Sequence, residues 1–95
     1  MSMDNYIKER ITETLLPSHM ELVNESARHK GHAGDDGSGE THYNLLVVSA
    51  CFEGQSRVAR QRLVYDALKD AFDRGLHALS AKCLTEKEFD FQNRK

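Results

Sequence analysis

The sequence has few of the residues on which specialised small proteins depend. It contains one proline, no tryptophan and two cysteines in 95 residues. Cys51 and Cys83 lie 32 positions apart with no C-x-x-C pair, so we expect neither a dithiol redox motif nor a zinc site made of cysteines. The simplest setting for such cysteines is a reducing compartment.

Neither a long apolar run nor an excess of one charge is present. No apolar stretch approaches the roughly 18 residues of a membrane-spanning helix, so we expect no contact with a membrane. The amino terminus lacks the pattern of a secretion signal or transit peptide, which predicts a cytoplasmic protein. With 13 basic and 15 acidic residues the formal net charge is -2, so any nucleic-acid site must rest on a local patch.

Hydrophobic spacing predicts one α+β domain over residues 1–95, in the order helix, strand, strand, helix, strand, helix. This order gives a three-stranded mixed sheet with helices on one face. The run from Leu45 to Val48 predicts a central strand that is buried on both faces. We expect helices over residues 3–16, 57–74 and from a capping box at 85–88 onwards, and strands over 20–24, 43–48 and 77–84. Pro17 and Gly75 are expected to end the first two helices.

Residues 26–41, between the first two predicted strands, form a long loop by composition. They include four glycines together with His29 and His32, and His42 follows at the far edge. Because so long a connection is uncommon in a compact domain, we expect it to be mobile or functional.

Several sequence phrases are similar to those of the BolA family. They are Asn24-Glu-Ser-Ala-Arg-His29, Glu40-Thr-His42-Tyr43, Phe52-Glu-Gly54-Gln-Ser56 with the following helix to Tyr65, His77-Ala-Leu-Ser80-Ala-Lys82, and Thr85-Glu-Lys-Glu88. The resemblance implies a BolA-like fold related to the type II KH arrangement. It also implies a monothiol glutaredoxin partner, with glutathione, and a two-iron two-sulfur cluster shared between the two proteins.

The resemblance also implies which histidines bind the shared cluster. His77 matches the expected ligand, although an isolated histidine at a strand start would otherwise be interpreted as a structural residue. His29 is the first candidate for a second ligand and His32 the reserve. His42 is interpreted as structural first and as a third candidate second. Imidazole ligands on one iron raise the cluster potential and make ligation sensitive to pH near neutrality.

A DNA-binding transcriptional regulator is the alternative hypothesis. Arg57, Arg60 and Arg62 could contact phosphates near the start of the second long helix, although they do not share one helical face. Gln61 stands where relatives usually carry histidine.

No enzymatic constellation is visible in the sequence. Cys51 and Cys83 are predicted to be small core residues, and Phe52 and Tyr65 packing residues. The free chain is expected to be a monomer or a weak homodimer.

Overall fold

A computed structural model of the chain describes residues 2–25 and 42–93. Its helices are α1 Met3–Leu15, α2 Arg57–Ala67, α3 Lys69–Asp73 and α4 Glu86–Asn93, and its strands are β1 His19–Asn24, β2 His42–Val48 and β3 Ala78–Leu84. A short 3-10 turn, Ala50–Phe52, follows β2. Within the described ranges, no helix is long and apolar enough to cross a membrane.

The three strands form a mixed sheet in the order β1-β2-β3, as predicted. β1 pairs with β2 antiparallel, and β2 pairs with β3 parallel. The parallel register places His42 opposite Ala78 at one end of the sheet and Val48 opposite Leu84 at the other. β2 is therefore the central strand and β3 has a free edge.

The hydrophobic core lies between one face of the sheet and the helices. Alternate residues of β2 are buried on this face, and α1 packs Ile7, Ile11 and Leu15 into the same cluster. On the opposite face Asn44 is exposed and Leu46 only half-buried. The prediction that β2 is buried on both faces is therefore wrong over most of the strand, because few side chains of residues 2–25 and 42–93 cover the second face.

The predicted helix over 57–74 is divided into α2 and α3 at Leu68. Leu68 is fully buried, and its backbone angles, φ -106° and ψ 15°, depart from helical values. The apolar spacing continues across this position, so the sequence pattern gave no sign of the break.

The predicted capping box at the start of α4 is confirmed. The Thr85 N–H donates to Glu88 Oε1 at 2.8 Å, and the Glu88 N–H donates to Thr85 Oγ1 at 3.2 Å. Phe89 is half-buried and stacks on His19 with 4.8 Å between ring centroids, whereas Phe91 is 75% exposed. α4 therefore closes the end of the sheet and leaves one aromatic ring in solvent.

The two cysteines differ in their environments. Cys83 is buried on the core face of β3, as predicted. The prediction that Cys51 is a core residue is wrong: it is exposed, because β2 ends at Val48 and the following turn directs Phe52 into the core instead.

Candidate functional site

His77 lies just before β3 and is exposed to solvent, and the residues that precede it fix its position. α3 ends at Asp73, and Gly75 reverses the chain at φ 119°, a conformation that L side chains rarely adopt. Leu76 is buried, and its N–H donates to the Ala71 carbonyl at 3.0 Å. His77 is the next residue and is exposed, with β3 beginning at Ala78.

The structure brings His42 next to His77. His42 is the first residue of β2, and parallel pairing aligns it with Ala78. The imidazole rings of His42 and His77 lie edge to face, with centroids 6.2 Å apart and an interplanar angle of 83°. The parallel alignment of two predicted strand starts is the sequence signal that could have indicated this pairing.

The segment that contains the other two candidates begins and ends at the same end of the sheet. The Glu25 N–H donates to the His42 carbonyl at 2.8 Å, and Asn44 Nδ2 donates to Glu25 Oε1 at 2.8 Å. A groove of about 420 Å³ opens here between the start of β2 and the start of β3. His29 and His32 lie outside the described residues, but Glu25 and His42, which flank their segment, are hydrogen-bonded to each other, and His42 lies beside His77.

Few metal-binding side chains converge at this end of the sheet. In residues 2–25 and 42–93 no group of three or more His, Cys, Asp or Glu side chains is placed to hold a metal ion. Cys83 pairs with Val47, near the opposite end of β2 from His42. The described candidate ligands at this end are the imidazoles of His77 and His42, together with the Glu25 carboxylate that accepts from Asn44. Imidazoles on one iron of a cluster suit a site whose other ligands come from another molecule.

The three candidate nucleic-acid residues have unequal surroundings. Arg57 and Arg62 are exposed, but the Arg60 side chain retains only 12% exposure. The Arg60 guanidinium donates to the Gln55 and Cys83 carbonyls at 3.0 and 3.1 Å, and to both carboxylate oxygens of Glu88 at 2.6 and 3.4 Å. Arg60 thus joins α2, β3 and α4. The role of Arg57, Arg60 and Arg62 in nucleic-acid binding stays a prediction.

Two pKa shifts accompany this ion pair. Hydrogen bonds from Arg60 and then from the Thr85 backbone lower the pKa of Glu88 from 4.5 to about 2. Burial raises the pKa of the Cys83 thiol to about 11, although the positive charge of Arg60 opposes the shift. Cys83 therefore stays protonated near neutral pH and is a poor nucleophile.

Sequence reasoning also missed how α2 covers the free edge of β3. Tyr65 Oη donates to the Leu79 carbonyl at 2.8 Å and Gln61 Nε2 to the Ala81 carbonyl at 2.6 Å, while Arg60 occupies the Cys83 carbonyl. Three alternate carbonyls are thereby capped by one helix. Polar side chains that recur on one side of a helix next to an edge strand are the signal for such capping.

Comparison with known proteins identifies the family. A family model described as BolA, BolA-like protein, matches residues 11–88. The chain belongs to the BolA family. BolA proteins are regulators or partners of other proteins. The expectation that this chain is not an enzyme stays a prediction.

A solved structure and two curated proteins illustrate the similarity. The fold matches BolA1 from Arabidopsis thaliana with a TM-score of 0.79 and 41% identity, over 88% of this chain and 92% of that one. SufE-like protein 1, chloroplastic/mitochondrial, from Arabidopsis thaliana is 45% identical over 86 residues, which are 86% of this chain but only 23% of that longer protein. The DNA-binding transcriptional regulator BolA of Haemophilus influenzae is 29% identical over 93 residues, 98% of this chain and 86% of that protein.

Proposed function

We propose that this BolA protein binds a monothiol glutaredoxin and shares a bridging two-iron two-sulfur cluster with it, in cluster trafficking or in iron and redox regulation. The observation that carries the proposal is the exposed His77 ring, next to His42, at the end of the sheet where the segment bearing His29 and His32 leaves and returns. A partner that approaches this end would meet the imidazoles of His77 and His42 without displacing the core.

The backbone on both sides of His77 is ordered without a partner, which suits a residue that serves as a ligand. Gly75 and the buried Leu76 fix the backbone on one side, and pairing of Ala78 with His42 fixes it on the other. A ligand on an ordered backbone loses less conformational freedom on binding than one on a loop. We therefore assign His77 as the constant ligand and a loop histidine, His29 before His32, as the second.

The cluster would supply redox or sulfur-transfer chemistry, and the chain supplies imidazole ligands for it. Imidazole must be neutral to bind a metal. The paucity of ligands in the described residues favours a cluster that needs both proteins and is released when they separate.

A spectroscopic comparison of histidine variants tests this assignment. Cluster-loaded monothiol glutaredoxin is mixed with the wild type or with His77→Ala, His29→Ala, His32→Ala or His42→Ala, and visible circular dichroism is recorded. His19→Ala is the matched control, because His19 begins β1 at the opposite end of the sheet. We expect a new spectrum with the wild type and with His19→Ala, loss with His77→Ala and a change with one loop variant. An unchanged glutaredoxin spectrum throughout would contradict the proposal.

The second candidate function is DNA-binding regulation of transcription. It is favoured by the similarity to the Haemophilus influenzae regulator and by the exposure of Arg57 and Arg62. Binding to a DNA duplex should weaken with Arg57→Ala and Arg62→Ala and fall with salt, while Lys69→Ala serves as the control on α3. No binding at moderate ionic strength would eliminate this candidate. Arg60→Ala is unsuitable as the test, because that side chain also joins three elements of the fold.

We retain the cytoplasm as the proposed compartment and a monomer or weak homodimer as the free state. The SufE-like relative from Arabidopsis thaliana is described as a chloroplastic and mitochondrial protein. Fractionation of cells that express the tagged chain would distinguish these compartments.

A further inference from the structure

A larger groove lies away from the histidines, between α2 and α4 along the free edge of β3. Its volume is about 780 Å³. One wall carries Arg57 and Gln61 from α2, the other carries Lys87 and Phe91 from α4, and Lys82 lies along the strand. The cluster-sharing proposal uses none of these side chains.

Two edge carbonyls and the Glu88 carboxylate, which line this groove, already accept hydrogen bonds. The carbonyls of Ala81 and Cys83 accept from Gln61 and Arg60. Glu88, the carboxylate in the lining, is bonded through both oxygens to Arg60.

Donors remain on the same surface. The N–H groups of Ala81 and Cys83 point to the same side as their carbonyls, toward the free edge. Arg57, Lys82 and Lys87 add three positive charges. The groove therefore presents donors and cations to any ligand that enters it.

An aromatic ring at the rim supplies apolar surface. Phe91 lines the groove and is 75% exposed. Covering a ring of this size contributes about 25 cal/mol for each Å² removed from water. A complementary ligand combines negative charge, hydrogen-bond acceptors and at least one apolar group.

We propose that this groove is a docking site for an acidic segment of a partner protein, whose carboxylates face Arg57, Lys82 and Lys87 and whose apolar side chain packs on Phe91. A short segment fits better than an extended polyanion, since Glu86 and Asp90 also lie on α4 and would repel a nucleic-acid backbone that continued past the groove. The capped carbonyls also disfavour addition of the segment as a regular β-strand, because a ladder needs both donors and acceptors.

A peptide titration followed by ¹⁵N amide shifts tests the proposal. The probe is a short synthetic peptide of alternating glutamate and serine around one leucine, with the glutamine analogue as the charge control and oligothymidine as the nucleic-acid arm. We expect saturable shifts at Ala81 and Cys83 with the glutamate peptide and much weaker binding of the glutamine analogue. Screening should reduce the affinity as salt is raised.

Charge reversal locates the site on the groove. The double variant Lys82→Glu, Lys87→Glu should raise the Kd by about tenfold or more, while Lys69→Glu on α3 should leave it unchanged. Phe91→Ala should weaken binding without changing its salt dependence, and the dispersion of the amide spectrum confirms that each variant is folded.

Three outcomes would overturn the proposal. They are the absence of shifts, equal binding of the two peptides, and displacement of the glutamate peptide by a lower concentration of oligothymidine. Loss of binding in Lys69→Glu to the same extent as in the double variant would also place the site elsewhere.

Discussion

Replacing Arg60 by alanine should destabilise the fold far more than replacing either of its arginine neighbours. Arg60 donates to two backbone carbonyls and to Glu88, and its side chain is only 12% exposed. A hydrogen bond from a charged donor contributes about 1.5–3 kcal/mol when its acceptor is buried. The Glu88 side chain is 45% exposed, so solvent screening reduces the ion pair to about 1 kcal/mol or less.

The combined loss for Arg60→Ala is about 2–4 kcal/mol, dominated by the Cys83 carbonyl and the ion pair. For a domain of this size each 1 kcal/mol changes Tm by about 4–8 °C, so we expect Tm to fall by about 10–30 °C. Arg62→Ala is the matched control and should change stability by less than about 0.5 kcal/mol, because Arg62 is exposed. Thermal and urea unfolding of the two variants measure the difference.

The pH dependence of stability provides a second check on the same ion pair. The folded pKa of Glu88 is about 2, below the ordinary 4.5, so the unfolded chain binds the proton more readily between these values. The contribution of the pair is therefore complete above about pH 4.5 and is lost as the pH falls toward 2. The difference in stability between wild type and Glu88→Gln should shrink over this range.

For the alanine comparison, Tm values for Arg60→Ala and Arg62→Ala that agree within about 2 °C would refute the structural role of Arg60.

Three further changes test other parts of the fold. Gly75→Ala should lower the free energy of unfolding, measured in urea, by about 1 kcal/mol, because φ at this position is 119°. Nothing lies within 4 Å of an added Cβ, so the cost comes from the backbone alone, and a neutral result would contradict this conformation. Ile11→Ala should cost about 2–5 kcal/mol, against less than about 0.5 kcal/mol for the exposed Val58→Ala, and similar losses would contradict the core assignment. Iodoacetamide at mildly alkaline pH should alkylate Cys51 well before Cys83, as followed by mass spectrometry, because Cys83 is buried and its pKa is raised to about 11; equal rates would contradict that burial.

The order of the elements could be predicted because its signals are local. Ser56 accepts a hydrogen bond from the Ala59 N–H at the start of α2, and Thr85 with Glu88 forms the predicted capping box. These caps involve residues three positions apart, so their pattern is visible in the sequence. The break at Leu68 was missed because the apolar spacing runs through it without a glycine or proline.

The surroundings of Arg60 could not be predicted because they depend on long-range contacts. Cys83 and Glu88, which bind its guanidinium, lie 23 and 28 positions away. From the sequence Arg60 was indistinguishable from Arg57 and Arg62. Cys51 was misassigned although the end of the strand and the packing of Phe52 were predicted correctly, because the sequence did not show that the turn over Ala50–Phe52 leaves Cys51 exposed.

At the candidate site, the sequence and the resemblance indicated His77 and, as a third candidate, His42, but not that their rings lie side by side. The contact with His42 depends on the parallel pairing of β2 and β3, whose starts are far apart in the chain. His29 and His32 lie outside the described residues, so the choice between them rests on the family phrase that ends at His29. The structure therefore adds His42 to the surroundings of His77 and leaves the two loop candidates to experiment.

Pulsed electron paramagnetic resonance of the reduced complex with monothiol glutaredoxin would show directly whether His77 binds the cluster. Coordinated imidazole produces nitrogen couplings to the cluster spin, whereas a cluster held only by thiolates has no ligand nitrogen. We predict strong nitrogen couplings in the wild-type complex and their reduction in His77→Ala, with His19→Ala unchanged. A complex that retains its cluster without such couplings, or in which His77→Ala leaves them intact, would contradict the account.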